Sequence, residues 1–294
     1  MLRLIALAVV CCAVLSGVAA AQTLDRIVAT KTVRIGFIAD QAPFASKGDS
    51  DAPVGYAIDV CTRVVEDIGH RIGDVKPTYV ETTLADAFAA VASDRIDLLC
   101  GAITVTLGRR ETVDFSQPIF LTGASALLRT DSPGDLRELF LGERTISPPR
   151  SPELRPFATS RVGVRAATTT EAVLRRRVAE EGYGAEIIGF ETHAEGLAAL
   201  EAQRIDAYVG DRALLIGLLS AARNPSRLIV GSRLLTREPY GIAMKRGDAD
   251  LRLLADRALS QFYPTREFTE LLVKYFGEQA PTIQAQILAQ SASQ

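Results

Sequence analysis

Residues 94–120 read DRIDLLCGAITVTLGRRETVDFSQPIF. The apolar run Ile96–Cys100 is short and closely flanked by turn signals, the mark of a buried strand. Gly101 ends it, and a polar loop follows that carries Thr104, Thr106 and the pair Arg109 and Arg110. Open α/β sheets bind ligands at the carboxyl ends of their parallel strands, which is where this loop falls. Threonine hydroxyls are small donors, and a guanidinium offers a planar fork that fits a carboxylate through two parallel hydrogen bonds. By itself the segment also reads as a solvated arginine pair on a turn.

Upstream, Leu24–Thr30 has the pattern of a short amphipathic helix and Val33–Ile38 that of a strand running into Asp40 and Phe44. Residues 45–53 are rich in Ser, Gly and Asp and read as an exposed loop. After Gly55 a helix begins with Val60, Val64, Val65 and Ile68 on one face. Asp59 falls in its first turn, where a carboxylate favours the helix dipole, and a structural role is expected of it. Thr78–Glu81 is a strand, and Leu84–Ala92 a helix with Leu84, Phe88 and Val91 as apolar positions. Strand, helix, strand, helix, strand makes a parallel α/β unit.

Downstream, Ser116–Arg129 is extended, a short helix starts at Ser132–Gly134, and the proline-rich residues 147–156 read as a surface loop. Strand, turn and helix then recur at Arg161–Arg165 and Ala166–Glu171. The free N–H groups of such a helix start suit a carboxylate, and Thr168 or Thr169 with Glu171 also fits a capping box. Ala167 is strained if the turn needs a positive φ there. Ala185–Phe190 is a strand, His193–Ala202 a helix, and Ile205–Gly210 a strand ending at Asp211. Taken alone, Asp211 is equally a helix cap. Ile229–Gly231 is a strand, Leu251–Phe262 and Phe268–Phe276 are amphipathic helices, and Ala289–Gln294 is expected to be a disordered tail.

The chain has 294 residues, long for one core, so two lobes are expected. Its 48% hydrophobic and 23% charged content is that of a soluble globular protein, and a formal charge of −2 with no basic tract argues against nucleic acid as a partner. Arg3, the apolar stretch Leu4–Leu15 and Ala19-Ala20-Ala21 form a secretory leader, expected to be cleaved after residue 21. Cys11 and Cys12 go with it, leaving Cys61 and Cys100 in an exported chain of net charge about −3. That pair reads as a disulfide or as two buried thiols, and the bridge is expected. The two histidines, His70 and His193, show no metal-ligand spacing and belong to no evident Ser/His/Asp set, and no cofactor is expected.

Gly101-Ala-Ile-Thr-Val-Thr-Leu-Gly-Arg109, followed by Val113-Asp-Phe-Ser116, resembles the signature of bacterial extracellular solute-binding proteins of family 3, the amino-acid receptors of ABC importers. Gly55-Tyr-Ala-Ile-Asp59, the Arg161–Thr170 segment and Glu238–Met244 resemble further elements of that family, across nearly the whole mature chain. The resemblance implies a two-lobed α/β fold of the type II periplasmic-binding-protein kind. Lobe 1 would comprise residues 22–120 and 238–294, with residues 121–237 as lobe 2 and two strands crossing between them. It implies a periplasmic monomer that closes on an amino acid and delivers it to a membrane permease.

By that match Arg109 and Thr104, in the loop after Gly101, would hold the ligand carboxylate with Thr168 and Thr169. Asp211 would hold the ammonium, and Phe44 would pack beside the ligand. Ile38 and Leu84 fall where other branches of the family place charged or stacking groups, so a neutral amino acid is expected, although His193 resembles the acidic-ligand branch. Exported cyclohexadienyl dehydratases share the fold and the arginine and form the alternative, but no acid for that chemistry is singled out. A sensor ectodomain would need a retained membrane segment and an output domain.

Overall fold

The computed structural model describes residues 23–141, 160–181 and 184–292. The leader and residues 147–156 lie outside them. Two five-stranded sheets organise the rest. The first runs in the order Lys76–Glu81, Thr32–Phe37, Leu98–Leu99, Ala243–Lys245, Val113–Phe115. The second runs Glu186–Phe190, Arg161–Arg165, Ala207–Asp211, Ala124–Arg129, Leu228–Val230. In each sheet the fourth strand is antiparallel to both neighbours. In each it is also the strand that arrives from the other lobe. The crossings themselves, Phe120–Thr122 and Glu238–Tyr240, pair antiparallel, with Tyr240 opposite Phe120 and Glu238 opposite Thr122.

The leading strand of each lobe is locked by the same device. Arg34 gives its backbone N–H (2.7 Å) and its guanidinium (2.8 Å) to Asp97, whose own N–H returns to Arg34 O at 2.9 Å. Arg161 and Asp206 repeat this at 2.8, 3.0 and 2.8 Å. The sequence signal is an Arg early in the strand and an Arg-Ile-Asp just before its parallel neighbour.

The first core joins Val33 and Ile35 with Val60, Val64 and Ile68, and with Leu251, Ala255, Leu259 and Phe262 from the helix Ala249–Phe262. Helices Arg266–Phe276 and Ala280–Leu288 add Phe268, Leu272 and Ile283 to the same cluster. Asp59 has a tying role: it accepts Lys274 Nζ and Tyr275 OH, each at 2.8 Å. The second sheet is covered on one side by Leu136, Phe140 and Leu174 and on the other by Leu197, Leu200 and Leu215.

Several local expectations are corrected. The strand expected over Ile96–Cys100 pairs only at Leu98–Leu99, the length left between Asp97, engaged by Arg26 and Arg34, and Cys100. Residues 45–53 are not a plain exposed loop: Ala45–Lys47 pairs with Pro53–Val54 around a Gly48–Asp51 turn, and Ala45 is buried. Residues 289–292 are not a loose tail, because Ala292 donates its N–H to Gln117 Oε1 and accepts from Ser260 Oγ, both at 3.0 Å.

Cys61 and Cys100 are joined in a disulfide, 39 residues apart in sequence. The bridge pins the second helix, Tyr56–Ile72, to the end of the strand that leads into the Thr104–Arg109 loop. Closing a loop of that length restricts the unfolded chain by roughly 2–4 kcal/mol. The Cys61→Ala/Cys100→Ala double variant is expected to lose about that much stability in a urea titration, with a steeper transition because the freed unfolded chain exposes more surface.

Candidate functional site

The first-lobe wall begins where Leu98–Leu99 ends. Thr106 caps the one-turn helix Leu107–Arg110 by accepting Arg109 N–H at 3.1 Å. The turn brings the Arg109 side chain inward while Arg110 stays exposed. The Arg109 guanidinium lies 4.6 Å from the centre of the Phe88 ring and donates to Thr104 O at 2.7 Å. Burial pushes its pKa down, and the charges of Glu238 and Asp211 oppose that, so the group stays a cation.

Gly101 does not reach the cavity; it makes room. A Cβ there would sit 2.4 Å from Gln41 Oε1, which accepts Ala102 N–H at 3.0 Å and so fixes Gln41 on the wall. Leu84 does line the cavity. Ile38 does not; it packs with Ala87 and Val91 in a core cluster. Phe44 does not either, because it stands among Phe120 (4.9 Å) and Tyr240 (5.1 Å) in a fully buried aromatic group.

The second-lobe wall starts at the end of the strand Arg161–Arg165. Arg165 forms two hydrogen bonds to Asp40 of the first lobe, at 2.8 and 3.0 Å. Ala167 has φ 60°, the left-handed conformation that costs a residue with a Cβ roughly 1–2 kcal/mol. Thr168 caps the helix Thr169–Glu181, accepting Glu171 N–H at 3.1 Å and donating to Arg165 O at 2.8 Å. Glu171 reaches back to Ala167 N–H at 2.8 Å, one residue before the position a capping box uses. The hydroxyl free to face the site is therefore that of Thr169. The unbonded first-turn N–H groups of that helix add positive potential to the wall.

His193 also lines the cavity, with Nδ1 2.9 Å from Tyr208 OH. Burial pushes its pKa down to about 4, so it is neutral at pH 7. Asp211 ends the strand Ala207–Asp211 and is 8% exposed. Its Oδ2 accepts a short hydrogen bond from Tyr240 OH, and its Oδ1 is buried with no hydrogen-bond partner. Burial, and then the negative charge of Glu238, hold its pKa well above the usual carboxylate range.

Glu238 stands between the two walls, 4% exposed. Its Oε2 accepts from Thr104 Oγ1 at 2.9 Å and from Thr169 Oγ1 at 3.0 Å, and its Oε1 from Thr236 Oγ1 at 2.8 Å. The free space between the walls is about 30 Å³, room for little more than one water molecule. Anything larger enters only if the walls part.

The description of bacterial extracellular solute-binding proteins, family 3, matches residues 33–278. The chain belongs to that family. A relative in Pseudomonas aeruginosa, an L-glutamate/L-aspartate-binding protein, is 28% identical over 88% of this chain and 81% of its own. The ABC transporter glutamine-binding protein GlnH of Bacillus subtilis is 26% identical over 87% of this chain and 85% of its own. Among solved structures, an ancestral amino acid-binding protein described as a precursor of cyclohexadienyl dehydratase superposes with a TM-score of 0.71. It is 25% identical and covers 87% of this chain and 99% of its own. A Streptococcus pneumoniae substrate-binding protein, 20% identical, covers 88% of this chain and 98% of its own and shares the fold at a TM-score of 0.72.

In this solute-binding protein the structure thus brings Arg109, Thr104, Thr168, Thr169, Asp211, Leu84 and His193 to one cavity. Sequence reasoning missed Gln41, Asp40, Arg165, Glu238 and Tyr240. The first three could have been found, since they follow parallel strands at the carboxyl end, as the Arg109 loop does. Glu238 gives no local signal.

Asp211 makes the site costly to the fold. With its folded pKa raised, the folded protein binds more protons than the unfolded chain above about pH 4, so this contribution to stability falls as pH rises. Asp211→Asn is expected to melt higher than wild type at pH 7, with the gap closing toward pH 4. A gap that is the same at both values in a calorimetric pH series contradicts this origin.

Proposed function

We propose that this protein captures a free amino acid in the periplasm by lobe closure and presents it to the permease of an ABC transporter. The observation that carries the reading is the pairing of Arg109 and Asp211 on one cavity. One lobe supplies a half-buried guanidinium, and the other supplies a carboxylate whose Oδ1 lacks a partner. A zwitterion answers both: its carboxylate meets Arg109 with the Thr104 and Thr169 hydroxyls, and its ammonium meets Asp211. The names of the relatives and of the ancestral structure agree with an amino acid as ligand. The reading is one of binding, and prephenate incubated with the purified protein is expected to give no phenylpyruvate. We take residues 22–120 with 238–294, and residues 121–237, as the moving lobes of a monomer.

A neutral side chain fits best. Arg165 is already neutralised by Asp40 in a two-pronged pair, His193 is uncharged at pH 7, and Leu84 is apolar. An ionised side chain would have no unpaired counter-charge, and an unpaired buried charge is expensive. An acidic amino acid is the second reading, favoured by the position of Arg165 on the wall and the name of the Pseudomonas relative. It requires Arg165 to leave Asp40 for the ligand.

Calorimetry with L-glutamine and L-glutamate separates the two. Wild type is expected to favour glutamine, and Asp40→Asn to shift the ratio toward glutamate by at least about tenfold, because it frees Arg165. Wild type binding glutamate more tightly than every neutral amino acid would establish the second reading.

The carboxylate seat has its own test. Removing one member of a buried ion pair costs on the order of 3–5 kcal/mol, so Arg109→Ala should weaken binding at least about a hundredfold. Arg109→Lys loses the fork and much of the affinity. The exposed Arg110 is worth roughly 0–1 kcal/mol, and Arg110→Ala leaves affinity nearly unchanged. Equal losses at both arginines in titration calorimetry would place the site elsewhere.

A further inference from the structure

The hydrogen bonds around Glu238 come from three segments. Thr104 belongs to the first lobe, Thr169 to a helix start in the second, and Thr236 to the approach of the returning strand. Thr236 Oγ1 accepts Ala124 N–H at 2.8 Å, so its own proton is aimed at Glu238. A threonine hydroxyl has one proton to give. The protons of Thr104 and Thr169 are therefore committed to the Glu238 carboxylate, and they are the ones assigned above to the carboxylate of the ligand. Two carboxylates cannot share them without an unmet acceptor and a like-charge contact.

We propose that Glu238 is a built-in occupant of the carboxylate subsite. Its side chain ties the two lobes together through Thr104 and Thr169, and it must release both before a ligand carboxylate can bind. The strand Glu238–Tyr240 is held by its backbone ladder to Phe120–Thr122, so the side-chain torsions of Glu238 can carry the carboxylate away without disturbing the crossing. Thr104 and Thr169 both line the cavity, and the Glu238 carboxylate holds their hydroxyls from beside it, at 2.9 and 3.0 Å. The affinity of the protein is then set by a competition with its own side chain. A contact present in the unliganded state and broken in the complex lowers affinity by the amount it contributes.

This inference rests on the amino-acid-binding reading, and the experiment keeps the two apart. L-glutamine is titrated into wild type, Glu238→Gln, Glu238→Ala and Arg109→Ala, and small-angle scattering is recorded for each protein without ligand. Glu238→Ala is expected to bind at least about tenfold tighter than wild type, with Glu238→Gln changing in the same direction. Unliganded Glu238→Ala is expected to show a larger radius of gyration, as the lobes part. Equal or weaker binding by both Glu238 variants overturns the inference, because it makes Glu238 a bystander or a contact of the bound ligand. Arg109→Ala binding as tightly as wild type overturns the underlying reading instead, whatever the Glu238 variants do. Where L-glutamine binds, the affinities decide. If it binds no form, the scattering decides, and an unchanged radius in both Glu238 variants overturns the inference.

Discussion

The short antiparallel ladder between Phe120–Thr122 and Glu238–Tyr240 is the constraint on which the rest of the molecule depends. It is the bridge between the lobes, and it reverses the fourth strand of each sheet. It also carries chemistry. Tyr240 packs its ring into the first-lobe aromatic group with Phe44 and Phe120, while its hydroxyl binds Asp211 of the second lobe. Glu238 at the other end touches both lobes through hydroxyls. A rotation of one lobe against the other cannot occur without changing the partners of these two side chains. The hinge and the site are made of the same residues.

The charges of the site are arranged so that each lobe is unsatisfied alone. Asp40, Asp211 and Glu238 stand against Arg109 and Arg165, with Asp40 and Arg165 meeting across the cleft. Burial strengthens every one of these interactions and raises the cost of each one left unmade. Asp211 shows the cost directly in a pKa far above that of a free carboxylate. A shift of that kind follows from burial beside a second carboxylate, with the Tyr240 hydroxyl and the Arg109 charge opposing it. Stability given up at Asp211 is recovered elsewhere: in the Cys61–Cys100 bridge, in the Arg34–Asp97 and Arg161–Asp206 locks, and in the helices closing the first core.

How much of this was legible depended on how local the signal was. The Thr104–Arg109 loop and Asp211 could be placed at strand ends from the apolar pattern, but by themselves they read equally as a turn and a helix cap, and it was the family resemblance that marked them as site residues. Ile38 and Phe44 were expected at the site through the family resemblance, but Ile38 packs against Ala87 and Val91, and the turn after Ala42 sends Phe44 into the core. Thr168 and Thr169 were adjacent and equivalent in sequence. Both reach the cavity wall, but one helix cap separates their hydroxyls, leaving the first to the backbone and the second to Glu238. Glu238 was invisible for a different reason: its partners Thr104 and Thr169 lie 134 and 69 residues away. Meetings of that kind follow from the topology of the whole chain and not from any window of it.

The repeated lock also sets which side chains face one another across the cleft. Thr32–Phe37 and Arg161–Arg165 hold the same place in their sheets, each second in order between the first and third strands and each fixed by an Arg–Asp pair. Side chains just beyond the carboxyl ends of these strands therefore face one another when the lobes meet. Asp40 follows the first and Arg165 ends the second, and they form a two-pronged pair at 2.8 and 3.0 Å. The side chains are 25% and 9% exposed, drier than a surface pair worth roughly 0–1 kcal/mol, yet wet enough to escape the several kcal/mol of a full desolvation penalty. A pair of that kind joins the two walls in this structure while leaving both charges partly solvated.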